Sequence, residues 1–194
     1  MIRNRLGAYP VPLQIPMGEG DLFTGLIDLI KMKSVVYNES SLGTLFEEGE
    51  IPKGLVEKAQ KYRNDIFEAV AEYDENLMEK FFEDEDSITE DEVHAALRAA
   101  VMDMSIIPMV CGSAFKNKGI QKLLDAVCAY LPSPLEVPPV VGVHPKTEKE
   151  VTLHCDDGEP LSALAFKIAA DRFGGLVFVR VYSGVLSQNQ QVFN

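Results

Sequence analysis

Hydrophobic and polar residues alternate along the start of the chain. Between residues 6 and 38 the apolar positions have a partial period of two, as in Val11-Pro-Leu-Gln-Ile15. This period is typical of β-strands with one buried face. Prolines at positions 10, 12 and 16 favour an edge position, because proline donates no hydrogen bond to a sheet. The segment is therefore predicted to form a hairpin or a meander.

Between residues 53 and 103 the apolar spacing changes to three and four, which predicts helices. The first predicted helix places its apolar positions within an arc of about 100°; these are Leu55, Ala59, Tyr62, Ile66, Val70, Tyr73, Leu77 and Phe81. Carboxylates occupy the opposite side, at Glu57, Asp65, Glu68, Glu72, Glu75 and Glu79. A second helix is predicted to start at Thr89, which can form a capping box with Glu92. Its apolar stripe is Val93, Ala96, Leu97, Ala100, Val101 and Met104.

A continuous apolar run over 106–111 predicts a strand buried on both faces. A polar turn over 112–119 follows, and then a helix over 120–131 with an apolar stripe at Leu123, Leu124, Val127 and Leu131. A strand, loop and helix in this order are a fragment of a parallel α/β layer. Ligands of such layers bind beyond the carboxyl ends of the strands, where the 112–119 turn lies.

The sequence pattern changes twice in the last third of the chain. Residues 133–158 are predicted to be a linker, because the run Pro132-Ser-Pro-Leu-Glu-Val-Pro-Pro139 cannot continue a helix. From Leu161 the period returns to two, and strands are predicted over 161–169 and 176–182. Two or three strands with open edges are marginal by themselves, so these strands are expected to be part of a truncated all-β domain.

The charge is concentrated in one block of the chain. The 194 residues carry a formal net charge of −12, and residues 39–103 alone hold 19 acidic and 6 basic side chains. A nucleic-acid binder would need a basic face instead, so an acidic block favours solubility or a basic protein partner. No apolar run reaches the roughly 18 residues of a membrane span. Three scattered cysteines favour a reducing, cytoplasmic compartment.

Most of the sequence motifs that could mark a catalytic or binding site are weak signals. No Gly-Lys-Ser or Gly-Lys-Thr occurs, so no phosphate-binding P-loop is predicted. Neighbouring residues in His154-Cys155-Asp156-Asp157 would point to opposite faces of an extended chain, so no metal site is predicted. No histidine is tied by sequence to Cys111, which is better explained as a small buried hydrophobe. A small hydrolase that uses Cys111 or the helical carboxylates stays open as an alternative.

The tripeptide Gly112-Ser113-Ala114 is the most informative local feature. It follows a predicted strand and precedes a helix, so its backbone N–H groups lie at a ligand-binding edge. Small residues allow a planar ring to come close. Such a turn can recognise a carbonyl oxygen of a base without using any side chain.

Several motifs together resemble bacterial elongation factor G. They are Arg5-Leu-Gly-Ala8, Val11-Pro-Leu-Gln-Ile-Pro16, Cys111-Gly-Ser-Ala-Phe-Lys-Asn-Lys-Gly119, Tyr130-Leu-Pro-Ser-Pro134 and Phe178-x-Arg-Val-Tyr-Ser-Gly184. The resemblance implies an α/β fragment from the middle of such a factor. It implies an α+β insertion subdomain over 1–105 and the last strand and helix of a P-loop GTPase fold over 106–132. A linker over 133–158 and the start of a truncated β-barrel over 159–194 would follow.

The same resemblance implies a role in GTP-dependent ribosomal translocation. Gly112, Ser113 and Ala114 match the family's last guanine-contacting motif, in which the alanine N–H meets the guanine oxygen. GTP or GDP with Mg²⁺ belongs to the full-length family protein. The P-loop, switch regions and Asn-Lys-x-Asp motif are not in this chain, so the fragment is expected to be noncatalytic and to hold no nucleotide or metal by itself.

The resemblance also assigns partners. It implies binding to the ribosome, with ribosomal RNA contacts in the full-length protein, and no membrane partner. Glu68, Glu72 and Glu75 match acidic positions that contact the C-terminal domain of the ribosomal stalk protein, and on one helix they would form a single ridge. A recycling paralogue, a release factor or a ribosome-protection protein is the alternative within the translational GTPases.

Overall fold

The computed structural model describes residues 2–71, 73–144, 147–172 and 174–193. The chain divides into two compact units, Met1–Leu131 and Pro132–Asn194. Both contain sheet, and the helices lie in the first unit, so the predicted mixture of helices and sheets is confirmed. Within the described residues no helix has both the length and the apolarity needed to cross a membrane.

The first unit contains six strands and five helices among its described residues. The strands are β1 (Pro10–Pro12), β2 (Gln14–Met17), β3 (Gly25–Asp28), β4 (Lys33–Tyr37), β5 (Phe46–Gly49) and β6 (Ile107–Met109). The helices are α1 (Ile2–Leu6), α2 (Val56–Val70), α3 (Glu75–Glu83), α4 (Glu90–Met102) and α5 (Ile120–Tyr130).

Strands β2 to β5 form an antiparallel meander in chain order, as the period of two predicted. Strand β2, which contains Pro16, lies at one edge of this sheet, where proline's missing donor costs no ladder bond. Strand β5 was not predicted. Its sequence Phe-Glu-Glu-Gly has little strand propensity, and it is held by pairing with β4, for example Val36 opposite Glu47.

The strand predicted over 106–111 is shorter and more exposed than expected. Strand β6 has three residues and pairs in parallel with β1, Pro10 opposite Ile107. Ile106 is buried, but Ile107 is 43% exposed. The prediction of a strand buried on both faces is therefore wrong here, because β1 is the only strand that pairs with β6 in the described chain.

One hydrophobic core joins the meander to the helices. The predicted apolar stripes supply most of it: the fully buried members include Phe67, Ile66 and Val70 of α2, Leu77 of α3, Leu97 and Ala100 of α4, and Ile27 and Leu29 of the sheet region. The capping box predicted at Thr89 and Glu92 is present at the start of α4. Met104 is wrong as a stripe member, since it lies beyond the end of α4 with φ 57° and is exposed.

Two helix predictions need correction. The long first helix is interrupted: α2 ends at Val70, and α3 begins at Glu75 with the side chain of Asp74 accepting a hydrogen bond from the N–H of Leu77 at 3.1 Å. An aspartate side chain can accept a hydrogen bond from an N–H group in the first turn of a helix, and Asp74 in this way caps the start of a separate helix, α3.

Helix α5 begins and ends close to its predicted bounds, but the predicted buried stripe is its exposed face. Leu123, Leu124, Val127 and Leu131 are all exposed. The helix packs through Ala126, Ala129 and Tyr130.

Among its described residues, the second unit contains two hairpins. Strands β7 (Val140–Val143) and β8 (Glu150–Leu153) pair antiparallel, and so do β9 (Ser162–Asp171) and β10 (Gly174–Ser183). The two predicted strands after Leu161 are confirmed. The linker predicted over 133–158 is corrected, because it contains the whole β7–β8 hairpin.

Candidate guanine-base loop and acidic helices

The segment from Gly112 to Gly119 forms a closed loop between β6 and α5. Ser113 N–H donates to the Lys118 carbonyl at 2.8 Å, and Lys118 N–H donates to the Ser113 carbonyl at 3.0 Å. A short 3₁₀ turn, Ala114–Lys116, lies inside this bridge, and Asn117 closes it in the left-handed region at φ 53°. These backbone hydrogen bonds define the closed shape of the loop.

The two glycines at the neck of the loop are required by close backbone contact. A Cβ on Gly112 would lie 2.6 Å from the Lys118 carbonyl oxygen. A Cβ on Gly119 would lie 2.7 Å from the Cys111 carbonyl oxygen, at a φ of +89° that L-residues rarely adopt. Both distances are below van der Waals contact, so the chain can cross itself here only with glycine on both sides.

The structure leaves the predicted base-reading group accessible. Within the loop, hydrogen bonds to loop carbonyls use the N–H groups of Ser113, Lys116, Asn117 and Lys118, and the N–H of Ala114 is not among them. Ala114 is exposed, and Gly112 beside it is exposed as well. An exposed N–H on a fixed turn can donate to a carbonyl oxygen of a ligand, which is the chemistry expected of Gly112, Ser113 and Ala114.

The three predicted acidic residues do not share one helix. Glu68 is exposed on α2, whereas Glu75 is the first residue of α3, after the Asp74 cap. Glu72 lies outside the described residues. The single ridge expected from an i, i+4, i+7 spacing is therefore wrong, because that spacing requires a continuous helix. Their contact with a partner stays a prediction.

Cys111, the thiol of the hydrolase alternative, is poorly suited to act as a nucleophile. Burial raises the pKa of the Cys111 thiol to about 11, so it is protonated at neutral pH and a poor nucleophile. Its backbone N–H donates to Gln14 Oε1 at 3.3 Å.

The histidine of the His154-Cys155-Asp156-Asp157 segment contacts a carboxylate outside it: His154 Nδ1 lies 2.9 Å from Glu159 Oε1. No group of three or more His, Cys, Asp or Glu side chains that could hold a metal occurs within the described residues.

A cleft of about 280 Å³ between the meander and helices α4 and α5 was not predicted from the sequence. Tyr130 hydroxyl and His94 Nδ1 are 2.6 Å apart on its wall, and burial together with Asp28 raises the pKa of Tyr130. Lys122 Nζ lies 3.0 Å from Glu48 and 3.8 Å from Asp28. The members of each pair are 36 or more residues apart in sequence, so no local motif marks this cleft.

The similarity to known proteins extends over the whole chain. No family model matches it. It is 52% identical to elongation factor G of Amoebophilus asiaticus and 50% identical to elongation factor G of Cytophaga hutchinsonii, in both cases over all 194 residues. These matches cover 27% and 28% of the relatives, so the chain spans about a quarter of their length.

A crystal structure of a protein from Thermus thermophilus is similar in both fold and sequence. It has a TM-score of 0.63 and 27% identity over 94% of this chain, which corresponds to 24% of that protein. The motifs around the base loop, the mixed α/β fold and the identity to two named relatives all agree. Over its full length, the chain is thus similar to a segment of elongation factor G that makes up about a quarter of those relatives.

Proposed function

We propose that these 194 residues form the part of a translational GTPase that supplies its guanine-base loop and has no catalytic activity by itself. The observation that carries the proposal is the closed Gly112–Gly119 loop, whose own hydrogen bonds do not use the N–H of Ala114. In the intact factor, GTP and Mg²⁺ would be held mainly by segments other than this one. The factor would promote GTP-dependent translocation on the ribosome.

The backbone contact can be tested by removing one N–H. Ala114 is the first residue of a 3₁₀ turn and follows Ser113, which has φ −130° and ψ 102°. Both conformations accept proline at position 114, since a residue before proline prefers the β region and a helical φ is close to that of proline. Ala114→Pro therefore deletes the donor with little change in the backbone, and Ala114→Ser keeps the donor as a matched control.

The measurement is GDP affinity in full-length elongation factor G carrying these 194 residues at the matched position. We expect Ala114→Pro to weaken GDP binding by roughly tenfold, the value of one neutral hydrogen bond of about 1 kcal/mol or slightly more. Ala114→Ser should bind GDP as the parent does. Equal affinities for all three proteins would contradict a base contact at Ala114.

A second function is favoured by the distribution of charge. The segment 39–103, with its 19 acidic and 6 basic side chains, includes all of α2, α3 and α4. We propose that it docks the basic C-terminal domain of the ribosomal stalk protein, with Glu68, Glu72 and Glu75 at the contact. Exposed charges are screened beyond roughly 8–10 Å at physiological salt, so the complex should be weak and salt-sensitive.

NMR titration of the folded chain with the stalk domain, at low and high salt, tests this docking. We expect shifts concentrated around Glu68 and the start of α3 that fade as salt rises. Glu68→Lys should weaken binding, and the matched control Asp157→Lys, an exposed acid in the second unit, should not. An absence of shifts at millimolar partner would leave the acidic block as a solvated surface.

A further inference from the structure

Lys118 is a buried cation in a loop whose residues Ala114 and Phe115 are exposed. Lys118 itself is only 3% exposed. Its Nζ donates to the carbonyl oxygen of Phe23 at 3.2 Å. Phe23 lies between β2 and β3, so the side chain reaches from the loop into the meander. Burying an ammonium group is costly unless it is hydrogen-bonded, so this contact holds the lysine in one place.

The same residue also closes the loop through its backbone. The N–H and the carbonyl of Lys118 make the two hydrogen bonds to Ser113 that form the bridge. One residue therefore joins the base loop, through its main chain, to the meander, through its side chain. A shift of Lys118 would be transmitted to Ser113 and from there to the N–H of the next residue, Ala114.

A second contact supports the loop from the turn between β4 and β5. Gly43 packs so closely that an added Cβ would lie 2.6 Å from the Lys116 carbonyl oxygen and 2.7 Å from that of Asn117. Gln121, in the first turn of α5, donates through Nε2 to the carbonyls of Gly43 and Thr44 at 3.3 and 3.2 Å. The meander thus contacts the loop at two places, at Lys118 and at the carbonyls of Lys116 and Asn117.

We infer that Lys118 is a positioning residue for guanine recognition, fixing the N–H of Ala114 by anchoring the Gly112–Gly119 loop to the meander at Phe23. The inference rests on the proposed base-reading function of this loop. It makes the meander, which lies in the predicted insertion subdomain, a support for the nucleotide site. The ligand class is a purine nucleotide with an oxygen at position 6 of the base.

The test compares two nucleotides in full-length elongation factor G carrying these 194 residues. One is GDP, and the other is 2-aminopurine riboside 5′-diphosphate, which lacks the oxygen at position 6 and the N1–H beside it. No variant in the test alters a group proposed to contact N1, so the change in the affinity ratio from parent to variant measures recognition of the oxygen, and a general loss of stability would weaken both nucleotides together. The matched control for Lys118→Met is Lys116→Met, on the same loop, whose Nζ lies 3.4 Å from exposed Asp21.

We expect Lys118→Met to reduce the preference for GDP by several-fold, up to about tenfold, while the affinity for the analogue stays the same. Lys116→Met should keep the parent ratio. Gly43→Ala, which pushes on the Lys116 and Asn117 carbonyls, is a second variant and should reduce the ratio in the same direction.

Ala114→Pro distinguishes failure of the positioning role of Lys118 from failure of the base contact at Ala114. If Ala114→Pro lowers the preference and both Lys118→Met and Gly43→Ala leave it unchanged, the positioning role is overturned and the base contact stands. If Ala114→Pro also leaves the ratio unchanged, the base-reading function itself is overturned, and the inference falls with it.

Discussion

Arg63 is the residue whose loss should most weaken the attachment of the acidic helices to the meander. Its side chain is 12% exposed and extends from α2 to the turn after β3. There Nη1 donates to the carbonyls of Leu29, at 2.8 Å, and Ile30, and Nε donates to Glu85 at 2.9 Å. The guanidinium also lies 5.1 Å from the ring centre of Phe67. Arg63→Met keeps the aliphatic packing and removes every one of these donors.

The size of the effect follows from those contacts. A buried carbonyl that loses its donor costs about 1–3 kcal/mol, so the two carbonyls together should cost about 2–6 kcal/mol. The pair with Glu85 adds little, because that carboxylate is 33% exposed and screened by solvent. With a urea dependence of about 2 kcal/mol per molar, a loss near 3 kcal/mol lowers the unfolding midpoint by about 1.5 M.

The assay is urea unfolding of the 194-residue chain at pH 7, followed by far-UV circular dichroism. Arg63→Lys should fall between the parent and Arg63→Met, because an ammonium group keeps the charge but lacks the fork that reaches several acceptors. The control is Lys33→Met, which removes an exposed cation paired with Glu50 at 2.8 Å. If Arg63→Met lowered the midpoint no more than this control does, the reasoning from buried donors would be refuted.

Three further predictions concern the loop, a carboxylate and the cysteines. Gly119→Ala should lower the thermal midpoint by several degrees, since its Cβ would lie 2.7 Å from the Cys111 carbonyl oxygen; an unchanged melting curve would contradict this. Lys80 and the capping box hold the pKa of Glu92 at about 2, so the stability that they provide is present at neutral pH and lost as pH falls from about 4.5 toward 2. Glu92→Gln should flatten that part of the stability–pH curve. At pH 8 iodoacetamide should modify exposed Cys128 much faster than Cys111, whose pKa is raised to about 11; equal rates by mass spectrometry would argue against a buried thiol.

Local patterns predicted the parts of the fold that depend on neighbours in sequence. The meander follows from alternation, and the start of α4 follows from Thr89 and Glu92, three residues apart. The break between α2 and α3 was missed although Asp74 carries its signal. The apolar period continues across the break, and Leu77 is buried in the same core as Val70, so periodicity alone could not reveal it.

Local sequence likewise predicted only part of the candidate site. The place of Gly112, Ser113 and Ala114 between a strand and a helix predicts a ligand-binding turn, and the family resemblance adds the prediction that its ligand is a guanine base. The burial of Lys118 could not be foreseen, because a lysine in a polar loop is ordinarily exposed. Its hydrogen-bond partner, Phe23, is 95 residues away.

The sequence by itself determined the periods of the strands and helices, the cap of α4 and the resemblance to elongation factor G. Each of these is encoded by residues a few positions apart or by a contiguous motif. Only the tertiary structure decided which face of α5 is buried, where β5 pairs, and what Arg63 and Lys118 contact. Those outcomes depend on long-range packing. A helix buries the small side chains that fit against its neighbours, and a buried cation donates hydrogen bonds to the carbonyls within its reach.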